Sequence, residues 1–306
     1  MLKYVGKRIL GIIPTIILIS IFVFLFVRMI PGDPARLVAG DEASLETVEM
    51  IREQLGLNDP ILKQYVNWVN DILHGDFGNS IKTGKPVMYE ISLRYGNTLK
   101  LAGLAIAWSV IVGLAVGIWA GTHMSKWQDY LGMTLSIAGQ AIPSFWIGLL
   151  LIMVFSVKLK LLPVTGTETW KHMILPVVTL GISLSATVAR FTRSSIIEVL
   201  KCDYTRTARA KGLCERTVVW KHVFRNSMIS VVTVVGLQFG HLLGGSVLVE
   251  AVFGFSGIGS LMVDSINFRD YFTIQALILI FALHFVVINL LVDLLYAVLN
   301  PEIKYE

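Results

Sequence analysis

Nineteen consecutive residues, Ile9 to Val27, carry no charge, and this run constrains the fold more than any other feature. A helix rising 1.5 Å per residue needs about 20 apolar residues to cross roughly 30 Å of hydrocarbon. Five further apolar runs follow: Leu101 to Gly121, Leu131 to Val157, Met173 to Val188, Met228 to Val249 and Phe272 to Leu299. The fourth is short, and its pattern predicts a helix that continues through Ala189 toward Arg193. Only 15% of the 306 residues are charged and 55% are hydrophobic, where a soluble domain has about 25% charged. That balance excludes a disordered tail, a collagen and an ordinary soluble enzyme. Two cysteines exclude a disulfide scaffold. The expected fold class is all-α, a polytopic membrane protein with six transmembrane helices.

Lys3, Lys7 and Arg8 before the first run resemble the start of a signal peptide. The run itself exceeds the usual apolar stretch of about 7–15 residues, so it reads as a retained anchor. Six spans return both termini to one side. With that side inside, the inner segments hold fourteen Lys and Arg, while the short outer loops hold four. Charge in the long first loop is discounted, because long segments cross regardless of it. The rule therefore places both termini in the cytoplasm.

Three regions follow: 1–30 with the first span, an outer loop over 31–100, and a core of five spans over 101–306 that includes an inner loop at 189–226. Gly113, Gly117 and Gly121 strip one face of the second span for close approach by a neighbouring helix, and Gly240 and Gly244 suggest the same in the fifth. Pro14, Pro143 and Pro176 each free a backbone carbonyl within or beside a span. In the outer loop, Ser44 to Leu55 predicts a helix stopped by Gly56. Asp59-Pro60 predicts a second, with proline first and Gly75 just past its end. Ile61, Tyr65, Val69, Ile72 and Leu73 mark its apolar face.

No catalytic motif emerges. Gly78 to Lys85 has five residues between its glycines where a phosphate loop has four, and a proline follows the lysine. Gly254, Gly257 and Gly259 have the wrong order for a dinucleotide fingerprint. The six histidines are scattered, and Cys202 and Cys214 fall in the inner loop, so no metal site is expected. Ionisable or strongly polar groups at membrane depth are functional candidates by default; here they are His241, His284, Asn289 and Asp293. His284 and Asp293 are nine residues apart and point to opposite sides of a helix, which favours inter-helix contacts over a proton relay. Gln140, Pro143, Ser144 and Gln238 are the polar or helix-breaking residues expected to line a pathway.

The inner loop from Ala189 to Asn226 holds nine Lys or Arg against three acids, Glu198, Asp203 and Glu215. Basic charge beside a membrane ordinarily meets lipid, but this stretch is also patterned. Ser194 to Leu200 and Tyr204 to Lys211 read as helix, Gly212 as a break, and Glu215 to Arg225 as a further helix. A helix, a turn and a helix at the membrane surface form a platform suited to a soluble partner.

Arg206-Thr207-Ala208-Arg209-Ala210-Lys211-Gly212, continuing to Lys221-His222-Val223-Phe224-Arg225-Asn226, resembles the coupling loop of ABC-importer permeases. That loop reads E-A-A, three residues, G, nine residues, then I-x-L-P. Aligned on Gly212, Arg206 stands at the Glu position, Thr207 at the first Ala, His222 at the Ile and Arg225 at the Pro. A-R-A-K-G followed by K-H-x-x-R-N is similar to the loop of the peptide/nickel subfamily. Pro31-Gly32-Asp33-Pro34, Gly75-Asp76-Phe77-Gly78, Ala189-Arg190, Gly244-Gly245-Ser246 through Glu250, Arg269-Asp270-Tyr271 and Asn300-Pro301 extend the likeness over nearly the whole chain. The chain resembles the first, or B-type, permease of dipeptide, glutathione or nickel importers.

The resemblance implies a bacterial inner-membrane, non-catalytic subunit forming half of a pathway. It implies a heterodimer with a second homologous permease, two ATP-binding subunits, an extracytoplasmic solute-binding protein and a lipid environment, with no nucleic acid. ATP and Mg would sit on the partner subunits, and no cofactor on this chain. Substrate leans to short peptides or glutathione ahead of nickel or a nickel chelate. An ion-coupled secondary transporter is the rival of another class. It would use inverted repeats, which the two halves lack, since the long loop follows only the first span.

Overall fold

The computed structural model describes residues 2–29, 32–40 and 42–299. Pro31, Asn300, Pro301 and Lys304 lie outside it, as do the side chains of Lys3, Lys7, Arg8 and His241. Fourteen α-helices run through the described residues: α1 (Leu2–Arg28), α2 (Pro34–Ala39), α3 (Leu45–Gln54), α4 (Ile61–Leu73), α5 (Val87–Thr122), α6 (Trp127–Ala141), α7 (Ser144–Leu151), α8 (Trp170–Lys201), α9 (Asp203–Ala210), α10 (Glu215–Thr217), α11 (Arg225–Gly245), α12 (Val247–Val252), α13 (Ile258–Asn267) and α14 (Tyr271–Leu299). Two π-helical segments, Ile152–Lys158 after α7 and Val218–Phe224 between α10 and α11, join them. Among the described residues the only β pairing is one bridge between Asn79 and Pro86.

Four helices are long and apolar enough to cross a membrane: α1 from Leu10, α5, α8, and α14 as far as Leu294. Counting two bent pairs as one span each gives six. The bends modify the sequence reading. The run Leu131 to Val157, expected as one span, is two helices: Trp127–Ala141 meets Ser144–Lys158 at 99°. Pro143 is the cause. The residue before a proline is pushed out of the helical region, and Ile142 has φ −86° and ψ 129°. The second bent pair is milder, 44° between Glu215–Met228 and Ser230–Gly240. The second span begins at Val87 rather than near Leu101, because Val87 to Lys100 keeps helical packing despite its charges. The fourth run extends past Arg193 to Lys201.

The chain divides into two compact units, Leu2–Gly96 with Gly257–His284, and Asn97–Ser256 with residues from Phe285 onward. In the first, Val87, Ile91, Ile258, Leu261, Ala276 and Leu277 form one buried cluster, and Val27, Tyr271 and Ile274 another. The outer helices follow their capping signals. Ser44 caps α3, its hydroxyl accepting from the Thr47 amide at 3.2 Å, and Gly56 ends it at φ +63°. Pro60 sits at the cap of α4 rather than inside its first turn; Asp59 instead pairs with Lys63 at 3.0 Å. Tyr65 and Trp68 of α4 pack on Phe24 of α1, with ring centroids 5.3 and 5.6 Å away. Ile61 and Leu73, expected on the buried face, are exposed. Asp270 caps α14, accepting from the Thr273 hydroxyl at 2.9 Å and the Ser80 hydroxyl at 2.5 Å.

The second unit is built around α8, against which α6, α7 and α11 all pack. The glycine stripe of α5 works as expected. A Cβ on Gly113 would stand 2.6 Å from Val188 Cβ, and one on Gly117 would stand 2.6 Å from the Ala189 carbonyl oxygen. In α11 the pattern differs from expectation. Gly244 faces open space and Gly240 makes only ordinary contact, whereas Gly236 is the tight point, 2.4 Å from Val292 Cγ2. Leu101, Ala105, Leu180, Leu184, Val249, Phe253 and Ile288 belong to the main buried cluster.

Candidate coupling platform

The platform starts where α8 stops. Cys202 is extended, with φ −65° and ψ 146°, which breaks the helix and lets α9 leave in a new direction. The fully buried Thr205 ties the two helices, its hydroxyl donating to the Val199 carbonyl at 2.8 Å. Three residues on, Ala208 faces the same way and is buried with Ile196, Val218 and Val223, next to Ile118, Val199 and Leu200. A small side chain is required there because α8, α9 and the π-helical segment converge on it. Burial of such apolar surface, about 25 cal/mol per Å², fixes the platform to the end of α8.

Gly212 then turns the chain. Its amide donates to the Arg209 carbonyl at 2.9 Å and the Leu213 amide to the Ala208 carbonyl at 3.4 Å, the Schellman pattern that ends a helix through a left-handed residue. Gly212 has φ +79°, a region that costs a side-chain-bearing residue roughly 1–2 kcal/mol. Arg209 spans the turn to Glu215 with two hydrogen bonds, Nε to Oε2 at 3.1 Å and Nη2 to Oε1 at 2.6 Å. These hydrogen bonds hold the Arg209 guanidinium above its ordinary pKa. Asn226 closes the base, donating to the Tyr204 hydroxyl at 2.9 Å and the His222 carbonyl at 3.1 Å.

Of the residues that the sequence singles out here, Arg206, Thr207, Arg209, Ala210, Lys211, Gly212, Lys221, Arg225 and Asn226 are exposed, His222 is half-buried, and Ala208 alone is buried. The result is an exposed basic face. Exposed Tyr204, Leu213 and Trp220 add apolar surface among the cations. Lys221 and His222 lie in the π-helical segment Val218–Phe224, a rare form that often marks functional positions and that no sequence signal reveals. Cys214, exposed beside the turn, has its thiol pKa lowered chiefly by hydrogen bonding to the Thr217 side chain and backbone.

A half-buried ion pair joins α6 to α8 near the platform. Asp129, at the start of α6, receives Arg193 Nε at 2.5 Å and Nη2 at 2.7 Å, and the Ser125 amide at 3.0 Å. The sequence reading missed this pair, although an acid in a first helical turn facing a basic residue on a long helix is its available signal. It also missed Glu250, fully buried and accepting hydrogen bonds from the Thr98 and Ser246 hydroxyls, each at 3.0 Å.

The residues expected along a pathway divide between two places. Gln140, Pro143 and Ser144 cluster at the corner between α6 and α7, and Gln238 lies on α11. Gln140 and Pro143 are exposed; Ser144 and Gln238 are half-buried. His284 pairs with Tyr95 through its Nε2 and stacks on that ring with centroids 5.2 Å apart, an inter-helix contact as the sequence suggests. Among the described residues no group of three or more His, Cys, Asp and Glu side chains is placed to hold a metal ion.

Comparison with known proteins places this architecture. Residues 113–305 match the family model of the binding-protein-dependent transport system inner membrane component, and residues 1–102 match the model of its N-terminal region. The glutathione transport system permease protein GsiC of Escherichia coli (strain K12) is 52% identical over 306 residues, covering 100% of both chains. The protein of the same name from Salmonella typhimurium is 51% identical over the same span. Among solved structures, an amino acid ABC transporter matches 68% of this chain and 94% of its own, with TM-score 0.56 and 19% identity. The methionine transporter MetNI matches 70% and 97%, with TM-score 0.60 and 14% identity. These two share the fold of ABC importer permeases. The chain belongs to the binding-protein-dependent transport system inner membrane components, and is a multi-pass, non-catalytic permease subunit of an ABC importer.

Proposed function

We propose that this permease carries short peptides or glutathione inward across the bacterial inner membrane, and that the Gly212 elbow is where an ATP-binding subunit takes hold. Family membership brings ATP-binding subunits, a further permease and a solute-binding protein to the assembly. Six spans with both termini cytoplasmic put the elbow on the side where ATP is available, and the outer helices α2 to α4 on the side of the binding protein. The second permease is a homologous but distinct chain, two ATPases bind beneath the pair, and ATP and Mg reside on those subunits.

The observation that carries the coupling role is the rigid joint between α9 and α8. Thr205 and Ala208 fasten α9 to the end of α8, and the Arg209–Glu215 bridge sets the direction of the turn. Closure of the ATPase pair then moves α8 and α11 as levers, so that the pathway opens at one face and closes at the other. Gln140, Pro143, Ser144 and Gln238 are the residues assigned to that pathway, and the 99° corner at Pro143 gives irregular backbone a cavity to line. The glutathione assignment rests on the full-length likeness to glutathione permeases.

Two substitutions test the coupling. Proline cannot adopt the φ of Gly212 and removes its amide, and tryptophan cannot fit the buried site of Ala208. Gly212→Pro and Ala208→Trp are both expected to abolish uptake and solute-stimulated ATPase activity while the protein still inserts and assembles with its partner permease. Unchanged uptake by both variants contradicts the coupling role. For the substrate, calorimetry of the cognate binding protein with glutathione, dipeptides and nickel decides, and selective binding of nickel would overturn the peptide assignment.

A further inference from the structure

In the first unit, α1, α4 and α14 line a partly open cavity of about 170 Å³, room for one small solute or on the order of ten waters. Its walls are chemically uneven. Arg28 enters at the end of α1, its guanidinium 3.4 Å from the centroid of the Phe24 ring. Its donors reach only neutral acceptors: Gln64 Oε1 at 2.7 and 3.2 Å, and the Phe24 carbonyl at 3.3 Å. Among the described residues no carboxylate stands within ion-pairing distance of this guanidinium. On the α14 wall, Gln275 is 6% exposed and its buried Nε2 has no hydrogen-bond partner. The buried, orphaned amide donor of Gln275 is costly to leave unsatisfied and calls for an acceptor-bearing ligand, and the exposed Arg28 guanidinium on the same cavity supplies a cation for an anionic group. Asn67, Trp68 and Asp71 of α4 line the same cavity. Asp71 suits an ammonium group and Trp68 an apolar side chain.

We propose that this cavity is a binding site for a small zwitterionic solute, an amino acid or short peptide with free termini, whose carboxylate is received by Arg28. Gln275 Nε2 then donates to a peptide carbonyl and Asp71 faces the amino group. A phospholipid headgroup also presents an anion to Arg28. The carboxamides of Gln64, Asn67 and Gln275 favour the peptide, because they suit an amide backbone and give nothing to an acyl chain. The proposal stands apart from the coupling role, since binding is measured with neither ATP nor binding protein present.

The test uses the complete transporter in nanodiscs without its binding protein, and radiolabelled leucyl-leucine as the probe. The wild type is expected to bind it saturably. Arg28→Gln and C-terminal amidation of the probe should each weaken binding about tenfold or more, with no further loss when combined. Arg28→Lys should recover part of the affinity. Gln275→Leu, which leaves the charge in place and checks that lost binding is not lost folding, should weaken it less. Absence of saturable binding, or equal binding of the amidated probe, overturns the proposal. So does a phospholipid that co-purifies with the wild type, is missing from Arg28→Gln, and excludes the peptide.

Discussion

Cys214 stands two residues beyond Gly212, exposed and hydrogen-bonded to Thr217, and so reports on the elbow without any introduced label. Its lowered thiol pKa means more reactive thiolate near neutral pH than an ordinary cysteine supplies. In a Cys202→Ser background, the pH at which maleimide alkylation of the isolated permease reaches half its maximal rate is expected below the usual thiol range. Thr217→Val should move it back up. A midpoint at or above that of a free thiol contradicts the hydrogen-bonded geometry. The neighbouring Arg209–Glu215 bridge is exposed, so it contributes no more than about 0.2–1 kcal/mol. Its role is to fix the direction of the turn, while stability comes from Thr205 and Ala208 beneath it.

The α5–α8 and α6–α8 contacts carry the energetics of the second unit. Small residues let membrane helices approach closely enough for dispersion to hold them, and a Cβ at Gly117 would already meet the Ala189 carbonyl oxygen at 2.6 Å. Gly117→Leu is expected to separate the helices and lower the thermal stability of the detergent-solubilised protein, whereas Gly244→Leu, facing open space, should be tolerated. Equal effects of the two would contradict the assigned interface. Asp129→Asn removes the partner of the half-buried Arg193 guanidinium and should destabilise by roughly 1–2 kcal/mol. Asp129→Asn with Arg193→Met should recover much of that loss, measured by the same melt.

These elements also show what a sequence displays and what it hides. The glycine stripe, the Ser44 and Gly56 boundaries, the Gly212 break and the helix–turn–helix of the inner loop are local signals, and each is where the residues indicate. The 99° corner is different. Pro143 announces a break, but a helix broken at proline can continue nearly straight or turn sharply, and the angle is set by how α6 and α7 each pack on α8. The early start of α5 is hidden for a related reason, because Glu90 and Arg94 interrupt the apolar run yet pair with each other at 2.6 Å. The Asp129–Arg193 pair joins residues 64 positions apart, and Glu250 finds Thr98 across 152. Such partners have no periodicity to reveal them.

At the scale of the whole molecule, the chain is a non-catalytic permease subunit of an ABC importer, and the proposed coupling makes it a lever driven by a separate motor. It has short helices packed on α1, a bundle around α8, and a basic elbow packed against the end of that helix, while ATP hydrolysis belongs to separate subunits of its family. The central claim is that the elbow is the surface those subunits grip. Alkylation of Cys214 in the Cys202→Ser protein, compared between the isolated permease pair and the complete transporter, tests it most directly. The account predicts rapid labelling of the pair and strong shielding once the ATP-binding subunits are bound, and equal labelling rates in the two would contradict it.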